Sequence, residues 1–460
     1  MNIIRQYVEG EHPSPYMPDG ASDEYRLIAD RSITNVCALL VETPTQAMYV
    51  DNFRRSEELT LDAEISPEWD HWQRSGLDAA QVPLHRESLT YGQSFAITRK
   101  DADGKPLTRP LSPFRAVALY EDPAFDQWPL VGVYVKRWPQ EKRDGLALVW
   151  DEVNEYEVAF GVDDDKMRLI SESNHGSSVC PLTPFDAYKD LEGKAHGIIA
   201  GVIPFQNRLN QTVFDLMMAQ TYNSFNVRYV TGMAPPMKRV LDPETDTYVL
   251  ATDDEGNPVP EKQYLNASRI FYAEDKDVKF GSLPGADLGG FIQAAELAVR
   301  HLSSVTQTPP HFVLGQIANV SAEALEQAET SLSRKVEQFK VSFGESWERV
   351  FRIALEMLGE PGWDDHAGEV VWRDLGNKSL AQTADALGKF AESLDVPRRA
   401  LWTRIPGITR QEITEFNKLR EEDDYERQLL ERAIPSSTPT RSKGFGSAAD
   451  GVNGEPAAAA

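Results

Sequence analysis

The chain has 460 residues, 41% of them hydrophobic, which is enough for roughly two or three folded domains with cores of their own. Its 72 acidic residues outnumber the 47 lysines and arginines, and the net charge of −25 argues against an extended grip on phosphates, because such a grip needs clustered cations. The start of the chain lacks the apolar core of a signal peptide, and the apolar runs reach only about half of the roughly 20 residues of a membrane span, so synthesis in the cytoplasm is expected.

Helical and then strand periodicity marks the first 196 residues. Apolar residues at helical spacing predict helices over 23–40 and 67–89. The period then changes to two, which predicts short strands at 94–99, 115–120, 130–137, 146–150 and 155–160. Turn signals such as Asp103-Gly104 separate these strands, and together they indicate an antiparallel meander within an α+β domain.

A long helix with few charges is predicted next, over 197–232. Its charged side chains are Arg208, Asp215 and Arg228, far fewer than the chain average of 26% implies, so the helix should be buried on most sides. It is not a membrane span, because amide side chains interrupt it at Gln206, Asn207, Asn210 and Gln211. Two interpretations stay open, a core helix of a large domain and a helix packed between copies of the chain.

Turn signals and short strands over 233–285 predict a small β-rich insertion, and a second helix with few charges follows at 287–305. The next segment, 306–320, has no formal charge. Pro309-Pro310 and Gly315 predict that it is a non-helical loop. Its apolar residues either pin a buried turn or belong to a loop held inside an assembly; they include Phe312, Leu314 and Ile317.

The strongest helical pattern in the chain begins after Ser321, a good N-cap residue, and continues to 358. A strand at 369–373 and two helices, at 379–393 and 410–426, are predicted after it. From 433 onward the sequence consists mainly of Pro, Ser, Thr, Gly and Ala, which predicts a disordered tail.

Motifs with known chemistry are lacking. The sequence contains no GxxxxGK[ST] phosphate loop, no HExxH metal motif and no GxSxG nucleophile elbow. The eight histidines are scattered, Cys37 and Cys180 stand alone, and the acidic run 163–165 lacks the ligand spacing of a calcium loop. We therefore predict no catalytic residue, no metal and no cofactor, although a hydrolase with carboxylates paired only in the fold stays open.

Short motifs occur in a specific order along residues 7–426. They are Tyr7-Val8-Glu9-Gly10 with His12-Pro13, Asn35-Val36-Cys37, Asn52-Phe53-Arg54, Tyr91-Gly92-Gln93-Ser94-Phe95, Ser321-Ala322-Glu323-Ala324-Leu325, Trp372-Arg373-Asp374 and Ile405-Pro406-Gly407. In these motifs and in the order of its parts, the chain resembles the portal proteins of tailed bacteriophages, in the branch found in many actinobacterial siphoviruses.

The resemblance implies a portal-type α+β fold with named parts. These would be a wing at 1–196 with 359–378, stem helices at 197–230 and 286–305, a clip at 231–285, a channel loop at 306–320, a long helix at 321–358 behind that loop, a crown at 379–432 and a disordered tail at 433–460.

The resemblance also implies a function and its partners. Twelve subunits would form a ring at one capsid vertex, through which double-stranded DNA is packaged and ejected without sequence specificity. The ring would contact terminase, the head-tail adaptor, the scaffold and the major capsid protein. The protein would be made in the cytoplasm of the host bacterium and reside in the virion, with no contact to a membrane and no catalytic activity.

Two sets of site residues follow from this expectation. Transient hydrogen bonds to DNA phosphates are expected from the channel loop, at Gln307, His311, Gln316 and Asn319. Contacts between subunits are expected from the stem helices, at Phe205, Leu209, Val213, Met217, Phe291 and Leu302. On the first stem helix these apolar side chains should look unusually exposed in a single protomer, and coverage within one protomer would remove support for the oligomer interpretation.

Two other classes of protein stay open. One is a soluble, acidic, multidomain hydrolase, which would run as a small species in size-exclusion chromatography. The other is a different structural protein of a phage head or tail, which electron microscopy would distinguish from a portal ring.

Overall fold

A computed structural model describes residues 1–55, 66–161, 167–224, 228–232, 237–243, 246–259, 277–282, 287–315, 322–373, 380–402, 404–405, 408 and 410–433. The chain divides into two units. The larger unit comprises Met1–Glu58 and Ile65–Arg373, and the smaller comprises Leu59–Glu64 and Asp374–Ala460. The mixture of helices and antiparallel sheets confirms the α+β class.

The larger unit begins with α1 (Asn2–Glu9), α2 (Asp23–Ser32), α3 (Cys37–Gln46), β1 (Val50–Arg54), α4 (Pro67–Ser75) and α5 (Leu77–Tyr91). The prediction of one helix over 23–40 is wrong, because the chain breaks between α2 and α3. Asn35 lies in the break, where its side chain accepts from the backbone N–H of Cys37 at 3.0 Å and donates to the carbonyl of Val8 at 2.9 Å. Such side-chain bonds compete with the helical backbone and favour a new helix start.

The helix predicted over 67–89 is likewise two helices. Gly76 separates α4 from α5 and adopts a left-handed conformation with φ 64°, which glycine reaches without steric cost. The side chain of Ser66 caps the start of α4 by accepting from the backbone N–H of Trp69 at 3.4 Å.

Short strands fill the middle of this unit, in the order β2 (Gln93–Lys100), β3 (Pro106–Leu111), β4 (Ala116–Leu119), β5 (Val131–Arg137), β6 (Gly145–Trp150), β7 (Asn154–Phe160), β8 (Arg168–Asn174), β9 (Leu182–Asp186), β10 (Tyr188–Lys189) and β11 (Ala195–His196). The five predicted strands are confirmed as β2, β4, β5, β6 and β7, while the other strands in this stretch were not predicted. Strands β4 to β8 form an antiparallel meander, as expected, but the predicted strand at 94–99 does not belong to it, because β2 lies between β3 and β9 in a separate sheet.

A small apolar core joins these two sheets. Phe95 and Leu182 of the smaller sheet pack with Leu148 and Trp150 of the meander, and all four are buried. A Cβ atom at Gly132 would stand 2.8 Å from the side chain of Leu182, so a glycine at this position lets the sheets approach closely.

The remaining elements of the unit are α6 (Ile203–Ser224), β12 (Arg228–Thr231), β13 (Arg239–Asp242), β14 (Thr247–Leu250), β15 (Lys279–Ser282), α7 (Leu288–Thr306), α8 (Pro310–Leu314), α9 (Ala322–Leu358) and β16 (Glu369–Trp372). Helix α6 begins later than predicted, because Pro204 belongs to its first turn and Gly197 lies against the backbone of Thr90. The prediction that the helix continues to 232 is also wrong, because α6 ends at Ser224 and residues 228–231 form β12, which pairs antiparallel with β15. Strand β16 confirms the strand predicted at 369–373 and pairs antiparallel with β1.

Helix α9 runs through the main core and contributes several of its largest buried side chains. Phe339, Phe343, Trp347 and Phe351 are fully buried along one side of it, as the helical spacing of these residues predicts. The ring of Trp347 contacts those of Trp72 and Phe185, with centroids 4.9 and 4.8 Å apart, so α4, β9 and α9 share one aromatic cluster. The predicted N-cap of α9, Ser321, lies outside the described residues.

The described residues of the smaller unit form three helices, α10 (Leu380–Ser393), α11 (Arg398–Trp402) and α12 (Arg410–Ala433). The helices predicted at 379–393 and 410–426 correspond to α10 and α12, and α11 was not predicted. Residues 434–460, which hold nearly all of the predicted tail, lie outside the described part of the chain.

Candidate functional site

The segment between α7 and α9 is the candidate channel segment, defined here as residues 306–320. The prediction that it is entirely non-helical is wrong, because residues 310–314 form the short helix α8. Pro310 lies in the first turn of α8, where the missing N–H of proline costs no hydrogen bond, and Gly315 ends the helix in a left-handed conformation with φ 65°.

The start of this segment is fixed by backbone geometry. Thr306 is the last residue of α7, and Gln307 ends the helix in the left-handed region with φ 55°, which is uncommon for a residue other than glycine. The backbone N–H of Thr308 then donates back to the carbonyl of Ser303 at 3.1 Å, and Thr308 is buried. The chain therefore leaves α7 in one defined direction.

A buried lysine reaches this turn from α9. The ammonium of Lys335 donates to the carbonyl oxygen of Thr306 at 2.9 Å, and the residue is only 5% exposed. Burial lowers the pKa of Lys335 to about 8. The carbonyls of the last helical turn carry the negative end of the helix dipole, so this is a favourable place for a cation.

The four residues expected to meet DNA have different surroundings. Gln307 is exposed, whereas the half-buried imidazole of His311 has Nε2 at 3.6 Å from a carboxylate oxygen of Glu329 on α9. Gln316 and Asn319 lie outside the described residues. The structure thus brings Gln307 and His311 onto one short segment and gives His311 a carboxylate neighbour that sequence reasoning missed.

The apolar side chains of the segment are not those of a buried turn. Phe312 is 39% and Leu314 is 38% exposed, while Val313 between them packs against the main core. Ile317 lies outside the described residues. The buried-turn interpretation is therefore wrong for Phe312 and Leu314, since the protomer leaves a large part of each in solvent.

Helices α6 and α7 pack against each other within one protomer, and this overturns part of the interface prediction. Leu209 and Leu302 are 2% and 1% exposed and belong to the main core, so they are covered by their own chain. The remaining predicted interface residues are half-buried, namely Phe205, Val213, Met217 and Phe291. The expected exposure is wrong for the first stem helix, because Leu209 is buried, Phe205 and Val213 pack against the main core, and Met217 packs against the cluster of Ile28, Ala29 and Phe214. The most exposed large apolar residues of α7 are Ile292, Leu297 and Val305.

The amide side chains that interrupt α6 have a structural explanation within the protomer. Gln206 is fully buried, donates through Nε2 to the carbonyl of Thr34 at 2.7 Å and accepts through Oε1 from the backbone N–H of Val36 at 3.1 Å. Asn210 contributes Oδ1 as acceptor for the backbone N–H of Thr34 at 3.1 Å. These amides satisfy the backbone groups left open where α2 ends and α3 begins.

The same row of amides holds the beginning of the chain. Tyr7 donates its hydroxyl proton to Oδ1 of Asn207 at 2.6 Å. His12 lies with Nε2 at 2.8 Å from the carbonyl of Tyr7, and its Nδ1 accepts from the amide of Asn210 at 2.8 Å. The Tyr7–His12 and Asn35–Cys37 motifs therefore meet on α6. In the sequence, the signal for this meeting was the row of four amide side chains on α6, at Gln206 and one, four and five residues after it.

Reactive groups are few in the described part of the chain. Both cysteines are buried, and burial raises the pKa of Cys37 to about 12 and that of Cys180 to about 11, so neither thiol ionises near neutral pH. No group of three or more histidine, cysteine or acidic side chains among the described residues is arranged to hold a metal ion. None of the described helices has the combination of length and apolar character needed to cross a membrane.

Solved structures with a similar chain path come from gene transfer agent particles. A chain of the virion of a native particle is 12% identical, covers 88% of this chain and 99% of its own length, and aligns with a TM-score of 0.43. A chain from the neck of an empty particle, computed with C6 symmetry, is also 12% identical, covers 85% of this chain and 96% of its own length, and has a TM-score of 0.44.

Sequence relatives are named portal proteins. That of Mycobacterium phage D29 is 26% identical over 371 residues, and that of Mycobacterium phage L5 is 24% identical over 379; each match covers 76% of this chain and 71% of the relative. The sequence model of the family "Phage portal protein, SPP1 Gp6-like" matches residues 2–429, nearly the whole chain. The resemblance inferred from the motifs is thereby confirmed, and the chain belongs to the SPP1 Gp6-like family of phage portal proteins.

Proposed function

We propose that twelve copies of this portal protein form a ring at one capsid vertex and that double-stranded DNA passes through its channel during packaging and ejection. The observation that carries the proposal is the family match over residues 2–429, which includes the candidate channel segment and both helices flanking it. In this assembly the ring receives terminase during packaging and the head-tail adaptor afterwards, and it contacts the scaffold and the major capsid protein.

The parts of the chain are assigned as follows. The wing is 1–196 with 359–378, the stem is 197–230 with 286–305, the clip is 231–285, the long helix is 321–358, the crown is 379–432, and the tail is 433–460. The pairing of β16 with β1 supports the return of 359–378 to the wing. The packing of α6 against α7 supports a two-helix stem. The pairing of β12 with β15 supports a β-rich clip between these helices, and it moves the proposed start of the clip from 231 to Arg228, where β12 begins.

The candidate channel segment is suited to brief contacts with DNA. It has no formal charge, so DNA passing it meets no fixed cation that would neutralise a phosphate and release the counterions of the DNA. Gln307 is exposed and can form a transient hydrogen bond to phosphate, and Phe312 and Leu314 present apolar surface. In the proposed ring, Gln316 and Asn319 face the channel with them.

The predicted set of interface residues is revised, because some of them are buried within the stem of one protomer. Leu209 and Leu302 are assigned to the core of the protomer. Ile292, Leu297 and Val305, exposed by 49%, 46% and 56%, are the apolar side chains of α7 that a neighbouring subunit would cover. The half-buried residues Phe205, Val213, Met217 and Phe291 would lie at the edge of such a contact.

Negative-stain electron microscopy and size-exclusion chromatography of the purified chain test the ring. A ring with a central channel and a mass near twelve times 51.5 kDa is expected. A small species in both measurements would contradict the proposal and would favour the soluble-enzyme class. A large assembly without a channel would indicate another structural protein of the head or tail.

Cysteine crosslinking tests the channel assignment. The variant Leu314→Cys should form crosslinks between neighbouring subunits that leave the ring intact and stop DNA packaging, because the linked segments narrow the channel. The native cysteines are buried and should not react. Leu191→Cys, on a fully exposed turn of the larger unit, is the matched control and should leave packaging unchanged. Packaging that continues through a crosslinked Leu314→Cys ring would contradict the assignment.

A further inference from the structure

Lys335 is a buried cation on the apolar side of α9. Its neighbours along that side, Leu332, Val336 and Phe339, are buried and belong to the same core as Leu302 of α7. An ammonium in such surroundings is costly unless it is hydrogen-bonded. An apolar residue of similar length would fill the same space without that cost, so the position of the ammonium calls for a specific explanation.

The hydrogen bond of Lys335 explains why an ammonium is buried at this position. The ammonium meets the carbonyl oxygen of Thr306 at 2.9 Å, at the point where α7 ends and the candidate channel segment begins. This carbonyl belongs to the last turn of α7, whose carbonyls lack partners within the helix and carry its partial negative charge. The contact joins α9 to Thr306, which is both the last residue of α7 and the first residue of the segment.

Three further contacts hold the segment in place, one to α9, one to the main core and one to the end of α7. His311 of α8 lies 3.6 Å from a carboxylate oxygen of Glu329, which is on α9 six residues before Lys335. Val313 packs against the main core, and the buried Thr308 is held by its backbone bond to Ser303. The described part of the segment, up to Gly315, is therefore attached along its length.

We infer that Lys335 is a positioning residue that fixes the start of the candidate channel segment on α9, so that residues 307–315 move together with α9. We call the contact between Lys335 and Thr306 the anchor. Its existence does not depend on the proposed function; only its consequence does, which is that the anchor sets how far the segment reaches into the channel.

Hydrogen-deuterium exchange on the full-length chain tests the anchor. In Lys335→Met, which keeps the length of the side chain and removes the donor, peptides covering 306–315 should exchange about tenfold faster than in the native protein, the effect of losing one hydrogen bond to a charged group. Peptides from α4 should be unchanged, which shows that the fold is intact. Lys335→Arg keeps a cationic donor and should retain most of the protection.

The matched control is Lys340→Met on the same helix. Lys340 pairs with Glu337 at 2.9 Å within α9 and has no hydrogen bond or ion pair with the described residues of the segment, 306–315, so its loss should leave exchange in 306–315 unchanged. Unchanged exchange in Lys335→Met, or an equal increase in Lys340→Met, would overturn the anchor.

The consequence for DNA passage is measured separately. Rings of Lys335→Met should assemble normally and package at least several-fold less DNA than native rings, while Lys335→Arg should restore packaging. Normal packaging by Lys335→Met, in spite of faster exchange, would overturn the link between the anchor and the channel. If the native chain forms no ring at all, the proposed function fails, and the exchange measurement still decides whether Lys335 is an anchor.

Discussion

Two buried histidines show how single residues of the core depend on their hydrogen bonds. Trp347 donates its indole N–H to Nε2 of His85 at 3.0 Å, so Nε2 of His85 carries no proton. His71 lies with Nδ1 at 3.2 Å from the carbonyl of Pro106 and with Nε2 at 2.9 Å from the hydroxyl of Thr108. Burial lowers the pKa of His85 to about 3 and that of His71 to about 4, so both are neutral near pH 7.

Acid should destabilise the larger unit through these histidines. An unfolded histidine binds a proton below about pH 6.5, whereas folded His71 resists protonation down to about pH 4, so the free energy of unfolding falls as the pH falls through this window. The loss at His71 is on the order of 3 kcal/mol at pH 4. Urea unfolding between pH 7 and pH 4 measures it. His71→Gln should show a shallower pH dependence, and an unchanged slope would contradict the argument.

A second prediction at the scale of one residue concerns Gln206 and the free energy of unfolding. Gln206→Leu removes the partners of the Thr34 carbonyl and the Val36 N–H, both at the break between α2 and α3. Leaving such groups unpaired should cost about 2–3 kcal/mol in the free energy of unfolding, measured by urea denaturation. Gln293→Leu, on an exposed position of α7, is the control and should change stability by no more than about 0.5 kcal/mol. Equal effects of the two variants would contradict the role of Gln206.

Among the elements, α7 combines two environments. One side of it belongs to the core through Ala298, Val299 and Leu302, and the other leaves Leu297 and Val305 about half exposed. For α6, the low charge left two interpretations open, a core helix and a helix packed between copies, and the structure shows α6 packed against α7 within the protomer. The low charge of α7 reflects core burial on one side, while its other side is available to a neighbour.

The exposed side of α7 should matter for assembly and not for folding. The double variant Leu297→Gln with Val305→Gln keeps the helix and replaces two half-exposed apolar residues, so the protomer should unfold at nearly the same urea concentration. Rings should be weakened, which analytical ultracentrifugation would show as a smaller average mass. Leu191→Gln, at a fully exposed turn, serves as control and should leave the mass unchanged. A normal ring mass for the double variant would remove α7 from the interface.

At the scale of the whole molecule, the negative net charge and the uncharged channel segment both weaken contacts with DNA phosphates. A chain with a net charge of −25 repels phosphate at short range, and the screening length of about 10 Å at 0.1 M salt limits this repulsion to close approach. A conduit for DNA benefits from weak contacts, because every fixed cation in the channel would retain phosphate and slow its passage.

Adding a cation to the segment should therefore convert weak contact into binding. Native rings should retain no double-stranded DNA in a filter-binding assay at about 0.15 M salt, whereas Gln307→Lys rings should retain it, with a retention that falls steeply as salt rises. Gln140→Lys adds the same charge at an exposed position of the larger unit away from the segment, and no retention is expected. If both variants behave alike, Gln307 does not meet DNA.

The amino-acid sequence alone determined the features that depend on local periodicity and composition. Four of the five strands of the meander (β4 to β7), the long helix α9 with its aromatic face, and the lack of charge in the segment before it all followed from residues close together in the chain. The order of short motifs, each weak alone, was also sufficient to indicate the family.

The tertiary structure decided what depends on partners far apart in the sequence. The break between α2 and α3 needs Gln206, 170 residues beyond Val36, and the position of His12 needs Asn210, 198 residues away. Likewise, only the tertiary structure shows that Lys335 of α9 reaches the carbonyl of Thr306 at the end of α7. It also shows that Leu209 and Leu302 are covered by their own chain. Periodicity reports which face of a helix is apolar, and it carries no information on which surface covers that face or which distant backbone group a polar side chain will meet.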